Sequence, residues 1–216
     1  MARIKTSVWL PRVLFESALI TVSILLALGL DEWREDRQDQ ETVELAMANF
    51  LSEIRRNKAR VEDAAPFNSG LHNVLQRRHA EGDVGSVNEF ISVVDSYTSI
   101  VLQSTAWETA LATGSVAKMD YDLVSALSLT YGLQSRYLQA SRPGVLDLTN
   151  PQLLTEDYLE VVIYNAIRHL REITAMESEL AIVYEEAERV ILDAWMDMNE
   201  ATLDDAVAWA SAPSPN

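Results

Sequence analysis

The three histidines are the first residues to test for chemistry, because imidazoles and carboxylates on facing helices can hold metals or move protons. A di-metal bundle takes a Glu-x-x-His pair from each of two helices. Here Ser69, Gln76 and Ala166 lie three positions before His72, His79 and His169, so that motif is absent. His169-x-x-Glu172 is the reverse order, and His169 falls on an apolar seam, where a packed imidazole is the plainer reading than a metal ligand. Glu185-Glu186-Glu188 reads as a solvated face, with weak divalent-ion binding as the functional alternative. Arg55-Arg56-Asn57-Lys58-Ala59-Arg60 is the one basic cluster. Its plain role is to pair with acids of a neighbouring helix, and its alternative is a docking patch for an acidic partner or lipid. Trp107-Glu108-Thr109-Ala110-Leu111-Ala112-Thr113-Gly114 is either a core plug or an exposed recognition element, and large aromatics favour the core.

There is no phosphate loop, dinucleotide fingerprint or nucleophile elbow. There are no cysteines, which removes disulfides, thiolate catalysis and cysteine zinc sites. The expectation is a protein that is not an enzyme, with no catalytic residues, no cofactor and no metal. With 17 Lys+Arg against 33 Asp+Glu the chain carries a net charge of −16, and the first 30 residues hold little of the acid. Such a surface repels phosphate backbones, so nucleic acid is not an expected partner.

The elements that must position any site begin with an anchor. Val13 to Leu30 reads VLFESALITVSILLALGL, apolar apart from Glu16 and small hydroxyl residues. At a helical rise of about 1.5 Å per residue it spans roughly 27 Å, enough for a bilayer core. Trp9 and Trp33 flank it as interfacial rings, and Pro11 suits a helix start. Glu16 lies about a turn inside, as an interfacial carboxylate or as a partner for another membrane helix. The rival is a cleaved signal peptide with Ala27-Leu28-Gly29 as its site, but the apolar run is longer than the usual one and continues into a charged helix. Arg3, Lys5 and Arg12 outweigh Arg34 and Arg37 across the span. That bias predicts a single-pass inner-membrane protein with its N-terminus cytoplasmic and its domain periplasmic.

Phe15 to Arg37, FESALITVSILLALGLDEWREDR, resembles the opening of a bacterial family of single-span membrane-anchored proteins of unknown function. Glu16, Ala27-Leu28, Asp31-Glu32 and Trp33 fall in the matching register. Phe15 departs from the usual glycine, and Asp31 and Glu32 stand where asparagines are common. The resemblance implies membrane attachment and a helical domain outside the span. It brings no activity and no catalytic residues.

Beyond the span, residues 31–63 lack proline and glycine and predict a helical stalk. Val43, Met47, Phe50, Ile54, Asn57 and Val61 alternate steps of four and three, a heptad seam open to another chain or to this one. Pro66 and Gly70 predict a break or kink, followed by a short helix bearing Leu71, Val74 and Leu75. Ser86 with Glu89 is a capping-box pattern opening a helix through Phe90, Val94, Tyr97 and Val101; Thr105 with Glu108 repeats it, and Gly114 is a natural stop. Asp120 caps a helix bearing Val124, Leu127, Tyr131 and Leu138, with Gly132 a local weakness or close-packing point. Residues 141–150 read as a loop, and Asn150-Pro151 as a new helix start. From about Asp157 to Asn199, Leu159, Val162, Ala166, His169, Ile173, Met176, Leu180, Val183, Ala187, Val190 and Ala194 keep heptad spacing. Leu203, Val207 and Trp209 predict one more short helix.

The predicted fold is all-α: an N-terminal transmembrane helix continuing into a helical bundle with a long C-terminal helix. The boundaries are a cytoplasmic tail 1–12, the span 13–30, a stalk 31–65, an acidic bundle 66–210 and a disordered tail 211–216. The functional expectation is a membrane-anchored interaction or scaffolding protein, an accessory subunit of a membrane complex or a self-associating stalk. The alternative is a periplasmic ligand-binding or sensor module.

Overall fold

The computed structural model describes residues 9–95, 97–98, 100–148 and 154–211. They form α1 (Trp9–Ala80), α2 (Val87–Val94), α3 (Thr105–Thr113), a 3-10 turn (Ser115–Lys118), α4 (Tyr121–Leu148) and α5 (Leu159–Ser211). The chain is all-α, with a long helix at each end. It divides into two compact units, Met1–Glu44 and Leu45–Asn216.

In the first unit α1 carries a window of mean hydropathy 2.2 of which none is buried, long and apolar enough to cross a membrane. Leu19, Ile20, Leu25 and Leu26 are each more than half exposed.

The second unit is a bundle of the later part of α1 with α4 and α5. Hydrogen bonds pair α4 with α5 through Gln134–Tyr184 and Tyr137–Glu177, and α1 with α5 through Asn68–Glu177 and Arg55–Glu188. In both pairs one number rises as the other falls, so α5 is antiparallel to α1 and α4. A second cluster closes one end, where Phe90 and Val94 of α2 meet Leu71, Leu75, Leu159, Ile163 and Leu170.

The break expected at Pro66 and Gly70 does not occur. Buried residues on α1 run Met47, Phe50, Ile54, Asn57, Val61, Ala64, Asn68, Leu71 and Leu75, alternating three and four without a slip. Pro66 itself is exposed. A proline inside a helix costs about 3 kcal/mol through one lost donor and one crowded carbonyl, and a seam packed on both sides offsets it. The loop expected from residue 141 also starts later, since α4 continues through Pro143 to Leu148. The buried column of α4 (Leu123, Leu127, Thr130, Gln134, Tyr137, Ser141) carries packing almost to that proline. Asn150-Pro151 lies outside the described residues.

α5 runs past Asn199 to Ser211 with no separate short helix. The side chains of Leu203, Val207 and Trp209, like residues 212–216, lie outside the described residues. Its seam differs from the expected one by one column. Leu159, Val162, Ala166, Ile173, Leu180 and Ala187 are buried as expected, but beyond Val162 the second column is Ile163, Leu170, Glu177, Tyr184 and Ile191. His169, Met176, Val183, Val190 and Ala194 are only half-buried.

Local signals mostly hold. Ser86 and Glu89 form the full capping box of α2, but that helix ends at Val94, so Tyr97 and Val101 lie beyond it in the connection to α3. Asp120 Oδ1 accepts from the Asp122 N–H at 2.8 Å at the start of α4. Gly114 closes α3 at φ 73°, left-handed backbone that favours glycine. The capping box expected at Thr105 and Glu108 does not form: Ser104 is the N-cap of α3, without a side-chain bond to the helix backbone, and its hydroxyl donates to Glu108 Oε1 at 2.6 Å. Gly132 is exposed, and a Cβ there would meet nothing within 4 Å, so it is not a close-packing point.

Candidate functional site

The residues expected to form an anchor lie on α1 ahead of its buried seam. Glu16, Ala27, Leu28 and Trp33 are exposed, and the Arg37 guanidinium lies 5.5 Å above the Trp33 ring. The Trp9 side chain lies outside the described residues.

The seam proposed for contact with another chain is buried within this one. Val43 is 8% exposed, and Met47, Phe50, Ile54 and Val61 are 1% or less. Leu45, one face away, is 66% exposed. The heptad spacing that marks a coiled-coil seam is the same spacing an intramolecular bundle uses, and within the second unit the chain's own helices cover Met47, Phe50, Ile54 and Val61.

Beneath that seam runs a ladder of buried polar side chains. Asn57 is fully buried: its Nδ2 donates to the Gln103 carbonyl at 2.7 Å, and its Oδ1 accepts from the Gln103 N–H at 3.0 Å. The same Nδ2 reaches Gln134 Oε1 at 3.0 Å, which also accepts from the Tyr184 hydroxyl at 2.8 Å. Gln134 Nε2 donates back to the Gln103 carbonyl at 2.9 Å. Asn68 repeats the arrangement on Thr98, with both its donor and its acceptor bond at 3.1 Å. Glu53 accepts from the Tyr131 hydroxyl at 2.8 Å and, at the first turn of α3, from the Ala106 N–H at 3.1 Å.

Glu177 is the most constrained member. It is fully buried, and its Oε1 accepts from Asn68 Nδ2 at 2.7 Å and from the Tyr137 hydroxyl at 3.1 Å. Its Oε2 is buried without a hydrogen-bond partner among the described residues, as is the Tyr97 hydroxyl. Burial pushes the Glu177 carboxyl above the usual range, and the two donated bonds pull part of the way back. Burial, with the Glu177 charge, raises the Tyr97 phenol to about 12. Burial likewise pushes Tyr131, Tyr137 and Tyr184 well up, so these phenols act as neutral donors. Chemically, the ladder ties α1, α4 and α5 to one another and to Thr98 and Gln103 in the connection between α2 and α3.

Of this ladder only Asn57 and Tyr131 stand out from sequence, both as seam positions. Glu53, Asn68, Gln134, Tyr137, Glu177 and Tyr184 were missed. The available signal was strict heptad continuation, which places Glu177 seven residues after Leu170 and Tyr184 seven after that.

Other candidates resolve plainly. Arg55 pairs with Glu188 at 2.7 Å across two helices, and Arg60 Nη1 donates to the Val101 carbonyl at 2.7 Å. Glu185 and Glu186 are exposed. Trp107 stacks on Tyr131 at 5.6 Å with Phe50 at 6.3 Å, a half-buried plug on the core. His169 is half-buried at the edge of the α5 seam.

Comparison with known proteins returns no matching family model, no matching curated protein and no matching solved structure.

Proposed function

We propose that this chain is a membrane-anchored helical interaction protein, an accessory subunit of a membrane complex that presents an acidic bundle outside the bilayer. One observation carries the reading: among the described residues none of the apolar run from Val13 to Leu30 is buried, while the heptad seam of the same helix beyond Leu45 is. An uncovered apolar run of that length needs a hydrocarbon environment or another protein. A bundle with its seams satisfied inside has only its outer faces left for recognition, so self-association through the Phe50 seam is not part of the proposal. The Arg3, Lys5 and Arg12 bias supports a cytoplasmic N-terminus and a periplasmic bundle in a bacterial inner membrane.

The test is purification of the full chain from membranes in mild detergent, with intact mass and identification of stoichiometric companions. The expected result is a mass that retains the N-terminal segment and a partner membrane protein. A mature form beginning at Leu30, or a chain that purifies alone, overturns the reading. A phosphatase reporter fused after Asn216 is expected to be active if the bundle is periplasmic.

A second reading, a ligand-binding or sensor module, is favoured by a cleft of about 470 Å³ bordered by Arg60, Asp63, Phe67, Thr98 and Val101. Its size suits a small ligand, and it offers one guanidinium and one carboxylate above apolar side chains. Thermal stabilisation by a small amphiphilic acid, lost in Arg60→Ala, would support it.

A further inference from the structure

From the outer face of α4 and α5 we infer a docking groove for a basic amphipathic helix of a partner protein. This deepens the interaction reading above and rests on it. Between the two helices lies an open groove of about 790 Å³. A second hollow of about 680 Å³ adjoins it across Ser125, Leu129 and Val183. Small and β-branched residues make the floor (Ala126, Val183, Ala187, Val190), and Leu129, 65% exposed, stands in the wall shared by the two hollows. A floor of small side chains lets a third backbone approach closely, as ridge-into-groove packing requires.

Charge selects the occupant. Asp120, Asp122, Glu186, Asp193 and Asp197 line the groove against Arg189 alone. That arginine is engaged by two of them, Glu186 and Asp193, and all three side chains are at least half exposed. An apolar strip bordered by uncompensated carboxylates complements a helix with an aliphatic stripe flanked by Lys and Arg. On α5 the lining runs from Val183 to Asp197, about 21 Å of helix at 1.5 Å per residue, so a partner helix of about fourteen residues fills it. A second copy of this chain is disfavoured as occupant, because two chains of net charge −16 repel.

The test places a photo-cross-linking phenylalanine at Leu129 in the full chain in its native membrane. A matching probe at Phe67, 67% exposed and lining the other cleft, is the control. The expected adduct forms from Leu129 and not from Phe67, and mass spectrometry maps it to a Lys/Arg-rich segment with apolar residues at i, i+3, i+4 and i+7. The double variant Asp122→Asn/Asp197→Asn, with melting unchanged, is expected to lower its yield about threefold or more. An adduct with an acidic segment, a lipid or a second copy of this chain overturns the proposal, as does a yield indifferent to the double variant. A companion that co-purifies but cross-links only at Phe67, or at neither position, leaves the interaction reading standing and removes the groove. No companion and no adduct removes both.

Discussion

Asn57 and Asn68 each bond both the backbone N–H and the backbone C=O of a single residue in the connection between α2 and α3, Asn57 at Gln103 and Asn68 at Thr98. They stand eleven residues apart on α1, about 16.5 Å of rise at 1.5 Å per residue. Thr98 and Gln103 stand five residues apart in the connection between α2 and α3. The two side-chain amides of one helix thus satisfy the N–H and the C=O of each of those two residues.

Removing either amide should loosen its own peptide first. Asn57→Leu and Asn68→Leu are each expected to cost about 1–3 kcal/mol, the penalty for leaving inward-facing polar groups unpaired. Amide hydrogen exchange checks the assignment: the Gln103 amide should quicken in the first variant and the Thr98 amide in the second. Equal quickening of both amides in both variants would mean global loosening rather than paired clamps.

Glu177 should make the fold less stable as pH rises. Its carboxyl binds a proton more tightly in the folded chain than in the unfolded one, because burial raises its pKa above the ordinary value of 4.5. Its contribution is therefore fully present below about pH 4.5 and is lost as pH rises through the folded value. Glu177→Gln keeps an acceptor for Asn68 and Tyr137 and removes the ionisation. The melting temperature of Glu177→Gln minus that of the natural chain should grow as pH rises above about 4.5 and level once the folded carboxyl has ionised. The difference isolates Glu177 from the general repulsion of a chain at net charge −16. A pH-independent difference would show that the buried carboxyl does not titrate across this range.

How far the fold was legible follows from those same residues. The capping box of α2, the glycine stop of α3 and the Asp120 start of α4 depend on neighbours within a few residues, and each was readable locally. The second column of α5 was not, because Glu177 and Tyr184 occupy core positions that a search for apolar residues rejects. That search took Met176 and Val183 instead, one position early and half-buried. Their acceptability depends on Asn68, Tyr137 and Gln134, which come from two other helices and are far away in sequence. Pro66 misled for a related reason: its cost is local, and the packing that offsets it is tertiary.

The seam of α5 is testable by paired charges. Ile173 is fully buried and Ile182 is 68% exposed on the same helix. In the purified full chain, Ile173→Asp should cost several kcal/mol, against a typical total stability of about 5–15 kcal/mol, and should abolish cooperative melting of the bundle. Ile182→Asp should stay within about 0.5 kcal/mol, as exposed substitutions usually do. Similar behaviour of the two would refute the assigned phase.

The covered seam of α1 gives the sharpest check on how this chain meets others. Phe50 and Ile54 are both fully buried, and Phe50 contacts the rings of Trp107 and Tyr131 at 6.3 and 6.2 Å. The chain has no cysteine, so Phe50→Cys or Ile54→Cys introduces a single thiol whose labelling reports only on its own site. Confinement to a membrane raises the effective concentration of copies, so even a weak intermolecular seam would be populated there. In native membranes both thiols are nonetheless expected to resist a maleimide until the bundle is denatured, and to yield no disulfide-linked dimer. Leu45→Cys, at a position 66% exposed on the same helix, should label at once and serves as the positive control. Each core substitution deletes buried volume and is expected to cost about 2–5 kcal/mol, so labelling is read alongside the melting curve at a temperature where the variant is folded. Rapid labelling or a dimer from Phe50→Cys under those conditions would mean that the seam opens to another chain. The self-associating stalk would then replace the outer groove as the contact surface.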